Sequence, residues 1–308
     1  MNQSPLFLAA LTMFAVTILP SAHAQTLPSF GHVVIVLGEN TAYATSYNSK
    51  NMPYLTSLAN TWGLGTNYYS DTHPSIGNYL NLATGHIITD DDSQIPKTLP
   101  VSDNNIALEA QNAGKTWKDY VENLPAAKGC GGLKSGTYYV RHDPLEYMTT
   151  INTETKNFVC FSQFAKDLSS HNLPNLSWLV PNGCDDAHDC SVTIFDNWLS
   201  KEITPLLASS YFQAGGDGLL IVVFDENNST GSPNCETTTD GQGCGGKVEV
   251  VMVSPFGKKG YKSKGGDSHN YNNAYEEGNV LRTIAQGLGL PTSNLGAATS
   301  DIPMSDFF

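Results

Sequence analysis

Two runs of the chain, HVVIVLG at 32–38 and GLLIVVF at 218–224, are apolar along almost their whole length. A strand with one wet face alternates apolar and polar residues; a strand covered on both faces does not. These runs therefore call for a sheet sandwiched between other layers. LSWLVPN at 176–182, stopping at Pro181, and VEVVMVSP at 248–255 read the same way. Helical spacing appears in MPYLTSLANTW at 52–62, with a proline near its start, and in SIGNYLNLATG at 75–85, ending at Gly85. NIALEAQNAG at 105–114 reads as a helix closed by glycine, with KTWKDYV following as a strand. Two more helices are expected at 191–209, with Pro205 as a possible break, and at 272–290. Strands alternating with helices predict an α/β fold, layered as a sandwich around a mostly parallel central sheet.

The N-terminal stretch PLFLAALTMFAVTILP at 5–20 is apolar and uncharged, and Ala22 and Ala24 follow it in an A-x-A pattern. A membrane span needs about 20 apolar residues, so the short run with its small-residue exit reads as a signal peptide over 1–24, cut before Gln25. Residues 25–308 contain no Gly/Ser/Pro-rich linker, charge block or repeat, which predicts a single domain. The expected protein is secreted or periplasmic, without a stable membrane anchor. Its net charge of −13 disfavours nucleic acid as a partner. An even set of six cysteines in an exported chain points to disulfides. Proximity pairs Cys184 with Cys190 and Cys235 with Cys244, leaving Cys130 for Cys160.

In open α/β sheets, ligands sit beyond the carboxyl ends of the strands. Glu39 and Asn40 follow the first apolar run, and Asp225 and Glu226 follow 218–224. The loop GCDDAHDC after 176–182 holds Asp185, Asp186, His188 and Asp189, and a glycine-rich stretch after 248–255 leads to Ser268 and His269. Each piece has an ordinary reading as a cap, a solvated turn or a surface histidine. Together they offer carboxylate and imidazole ligands for a divalent ion such as Zn²⁺, Mn²⁺, Fe or Ca²⁺. The stretch DTHPSIGNYL at 71–80 places Ser75 at a turn into a helix, where backbone N–H groups favour an anion. A metal beside a serine lowers its hydroxyl pKa and makes it a nucleophile. Asn78, one turn on, and His73 are placed to meet a phosphoryl oxygen or assist a proton transfer.

The ordered set E-N at 39–40, H-P-S-I-G-N-Y at 73–79, H-D-P at 142–144, D-D-A-H-D-C at 185–190, F-D-E at 224–226 and S-H at 268–269 resembles the secreted phosphoesterase family. That family holds bacterial and fungal acid phosphatases and non-hemolytic phospholipases C, and is related to the alkaline phosphatase superfamily. The resemblance covers about residues 31 to 290. It implies an alkaline phosphatase-like α/β/α sandwich and one catalytic domain over 25–308. By position it implies that Ser75 attacks phosphorus to give a phosphoserine. Glu39, Ser75, Asp225 and Glu226 would hold a metal, with Asn40, Asn78 and His73 on the phosphoryl group. His142 would face the substrate or leaving group. Asp186, His188 and His269 match a second metal position in related enzymes, or act there as hydrogen-bonding and proton-transfer groups. One or two divalent ions per chain follow from this. Gly77 departs from the proline common at that place, and would loosen the turn.

The expected function is a metal-dependent acid phosphatase acting on small phosphate monoesters. A phospholipase C or other phosphodiesterase using the same site is the alternative within the class. A non-enzymatic calcium-binding protein is the alternative outside it.

Overall fold

The computed structural model describes Met1 and residues 26–125, 130, 137–227 and 245–308. Residues 2–24 of the expected signal peptide, Cys235 and Cys244 lie outside the described residues. The other two cysteine pairs, Cys130–Cys160 and Cys184–Cys190, are formed as expected.

The strands are β1 (His32–Gly38), β2 (Gly63–Gly65), β3 (Tyr69–Ser70), β4 (Trp117–Val121), β5 (Phe158–Cys160), β6 (Leu176–Val180), β7 (Gly218–Phe224), β8 (Gly246–Lys247), β9 (Val250–Val253) and β10 (Tyr261–Ser263). The helices are α1 (Tyr43–Ser46), α2 (Pro53–Thr61), α3 (Ser75–Thr84), α4 (Ile106–Asn112), α5 (Ser162–Ser169), α6 (Val192–Ala208) and α7 (Glu277–Gly287). Eight strands form one sheet in the order β10-β2-β9-β7-β1-β6-β4-β5. All its pairings are parallel except those of β9 with β2 and β7. The fold is the expected mostly parallel α/β sheet with helices. β7 is buried at every position and β1 at all but its first, which is why neither alternates.

The structure corrects the reading in three places. Pro205 does not break α6, which runs on to Ala208; its missing N–H leaves the Lys201 carbonyl without its helical partner. The last helix starts at Glu277, because Asn272 and Asn273 are left-handed and Glu276 caps the helix through a reciprocal bond with Asn279. The third correction concerns β9. It runs antiparallel to β7, so its carboxyl end points to the opposite edge of the sheet. The added strand β10, parallel to β2, turns the chain back before Ser268 and His269. Among the described residues no helix is long and apolar enough to cross a membrane.

Candidate active site

β1 and β7 pair in register, with Gly38 opposite Phe224. Their next residues, Glu39 and Asp225, therefore leave the sheet side by side. The Asn40 N–H donates to Asp225 Oδ1 at 2.9 Å, and its side-chain amide donates to Glu39 Oε2 at 2.8 Å. This takes a left-handed backbone at Asn40 (φ 49°), which asparagine tolerates. Asn40 thus orients both carboxylates.

Ser75 is the first residue of α3 and is buried. Its hydroxyl lies 3.1 Å from Glu39 Oε2 and 3.4 Å from Glu226 Oε1. Asp225 also interacts with it. His73 Nδ1 pairs with Glu226 Oε2 at 2.6 Å. That contact raises the His73 pKa against the opposing effect of burial. Burial pushes all three carboxyls up. Repulsion from Asp225, Asp186 and Glu226 adds to it at Glu39, and repulsion from Glu226 adds at Asp225. Three buried acids crowded on one hydroxyl call for positive charge among them.

A second arm comes from the other side. His142 stacks on Tyr79, ring centroids 5.3 Å apart. Its Nδ1 pairs with Asp186 Oδ2 at 2.9 Å, and its Nε2 faces Glu39 Oε1 at 3.1 Å without a hydrogen bond. Burial, then the charges of Arg141 and His188, hold His142 well below the ordinary histidine range. A neutral ring whose Nδ1–H serves Asp186 presents a lone pair at Nε2 toward Glu39. Burial pushes Asp186 up to about 7. His188 Nδ1 lies 2.8 Å from Asp189, and its Nε2 lies 3.0 Å from Arg141 Nη2.

Two expected residues are engaged elsewhere. Asn78 accepts from the Thr72 N–H at 2.9 Å and donates to the Thr72 carbonyl at 2.8 Å, clamping the chain just before Ser75. His269 is 64% exposed in its side chain and is held by Asp267 Oδ1 at 2.8 Å. Its described contacts do not include Asp186 or His188. Asp92 is a site residue that sequence reasoning missed: its Oδ1 accepts from the N–H of Ile76, next to Ser75, at 3.0 Å. It lies in a run of three aspartates at 90–92, which reads in sequence as a solvated turn.

The donor set fits a divalent cation. Asp225 Oδ2 and Glu39 Oε1 are buried without a hydrogen-bond donor, and oxygen donors of this kind suit hard ions. Glu39, His142 and His188 also bring one ligand atom each within 4.8 Å of one another.

The Phosphoesterase family model matches residues 39–291. The chain is 30% identical over 288 residues to the phosphatidylinositol-3-phosphatase of Mycobacterium tuberculosis, covering 92% of this chain and 85% of that protein. It is 32% identical to the phosphate-repressible acid phosphatase of Penicillium chrysogenum, over 67% of this chain and 50% of that protein. The chain thus spans about half the length of this fungal relative. A solved protein of the alkaline phosphatase superfamily from Vibrio parahaemolyticus superposes with a TM-score of 0.57 at 13% identity, over 89% of this chain and 70% of that one. The phosphonate monoester hydrolase of Silicibacter pomeroyi gives 0.54 at 13% identity, over 91% and 76%. These likenesses agree in fold with the sheet described above: the chain belongs to the Phosphoesterase family, hydrolases of phosphoric ester bonds with an alkaline phosphatase-like α/β fold.

Proposed function

We propose that the protein is an exported, metal-dependent acid phosphatase that cleaves phosphate monoesters through a phosphoserine at Ser75. The catalytic unit spans 25–308, and 1–24 is removed on export to the periplasm or medium. The observation that carries the reading is the convergence of Glu39, Asp225 and Glu226 on the Ser75 hydroxyl. The relatives named above, a phosphatidylinositol phosphatase and an acid phosphatase, support a monoester substrate.

Glu39, Asp225, Glu226 and Ser75 would hold a divalent ion. When bound, it lowers the hydroxyl pKa and offsets the negative charge gathered at the phosphoryl group. Glu39 Oε2, already hydrogen-bonded to the hydroxyl, is placed to take its proton as the serine oxygen attacks phosphorus. The Oγ–P bond forms as the bond from phosphorus to the ester oxygen breaks. The ester oxygen leaves on the His142 and His188 side as the alcohol, taking its proton from water, and Glu39 gives its proton back to the serine oxygen when the Oγ–P bond is later broken. Water then attacks phosphorus, returns the serine hydroxyl and releases phosphate. His73 steadies Glu226, and the second amide hydrogen of Asn78 is available to a phosphoryl oxygen.

The test is hydrolysis of p-nitrophenyl phosphate across acid to alkaline pH, before and after chelation, for wild type and Ser75→Ala. Chelation should abolish turnover and one added metal should restore it. Ser75→Ala should lower kcat by roughly 10³-fold or more while the protein stays folded. Retained activity in Ser75→Ala would remove the serine from the mechanism.

A further inference from the structure

Among the described residues, Arg141 is the only lysine or arginine ion-paired with a side chain of this site. Its guanidinium lies over the Tyr139 ring, 4.2 Å from the ring centre. His188 Nε2 holds Nη2 at 3.0 Å on one side. On the other, Asp92 Oδ2 stands 3.5 Å from Nε, which is buried without a hydrogen bond. The other oxygen of Asp92 holds the Ile76 N–H at the start of α3. Arg141 is thus one carboxylate away from the backbone beside the nucleophile. Through His188 and His142 it also borders Glu39.

A phosphoryl group at Ser75 would enter among Glu39, Asp225 and Glu226, while Asp92 is paired with Arg141. A dianionic monoester meets more repulsion there than a monoanionic diester, and gains more from a fixed positive charge. Arginine keeps its proton and matches two phosphate oxygens in one plane. We propose that Arg141 is the specificity-determining residue that grips the non-reacting phosphoryl oxygens, and that Asp92 is the positioning residue that aims it. Arg141 then sets the preference for monoesters over diesters. This rests on the phosphoesterase reading of Ser75.

The experiment compares p-nitrophenyl phosphate with its bis ester for wild type, R141Q, R141K and D92N, with inorganic phosphate as competitive inhibitor. R141Q should lower kcat/KM on the monoester about 10- to 100-fold, the size of a lost hydrogen bond to a charged group. The diester should lose clearly less, so that the ratio of the two activities falls about tenfold. Phosphate inhibition should weaken alongside. R141K, which keeps the charge without the planar fork, should recover part of the ratio. D92N keeps an acceptor for the Ile76 N–H but drops the charge facing Arg141, and should shift the ratio the same way by less. An unchanged ratio in an active R141Q, whether both activities persist or fall together, would overturn the assignment. If R141Q does not fold, R141K and D92N both matching wild type in ratio and phosphate inhibition would do the same. Wild type inactive on both esters would overturn the reading of Ser75 and this assignment with it. Wild type active with an unmoved ratio overturns the assignment alone.

Discussion

Gly77 carries more of the site than its size implies. Inside a helix, glycine costs about 1 kcal/mol against alanine. Here a Cβ would stand 2.4 Å from Thr72 Cγ2 and 3.0 Å from the Thr89 carbonyl. The glycine lets the helix that begins at Ser75 press against the segment that feeds it. Gly77→Ala should destabilise the protein by about 1–3 kcal/mol through overpacking. It should also lower kcat, because the Thr72 backbone clamped by Asn78 is what seats Ser75; thermal melts and p-nitrophenyl phosphate turnover check both. An alanine variant as stable and active as wild type would remove this role. The same residues show what sequence could and could not tell. Spacing put Asn78 one turn after Ser75, which fixes its face of the helix but not its partner. Whether its amide meets Thr72 or a ligand depends on the path of residues 71–74.

At the scale of elements, the strands that reach the site were legible because β1, β6 and β7 are covered on both faces and so lack alternation. The strands β2, β3, β5, β8 and β10 are two or three residues long, too short to show any period. The direction of β9 was hidden for another reason: apolar content reports burial, and burial is the same for either direction. That hid the route to His269. The loop from β6 to α6 carries Asp186 and His188 between Cys184 and Cys190, and the Asp186 carbonyl accepts from the Glu39 N–H at 2.8 Å. The disulfide thus restrains the loop that orients His142. Replacing both cysteines by serine should cost about 2 kcal/mol, the low end for a bridge that closes so small a loop. Monoester kcat/KM should fall further than stability alone accounts for, measured well below the melting point. Unchanged kinetics would mean that the backbone bond holds the loop unaided.

For the molecule as a whole, acidity and burial combine. Burial pushes Asp301 and Glu249 up to about 7. Burial, then Asp71, pushes Glu276 up to about 10. Each folded value lies above its unfolded one, so the folded state holds more protons between the two. Stability contributed by these groups is then greatest near pH 4 and declines as pH rises, through about 7 for the first two and about 10 for the third. Chelated protein should melt at a higher temperature at pH 5 than at pH 8; the reverse order would contradict the buried-carboxyl account. The pairing of β1 with β7 has a kinetic consequence. The Asn40–Asp225 hydrogen bond that joins the two halves of the surroundings of Ser75 spans 185 positions. Closing so long a loop is slow, and no local segment can substitute for it. A nascent chain therefore carries the serine long before it carries a competent site, and during refolding enzymatic turnover reports the last long-range pairings rather than the first compaction.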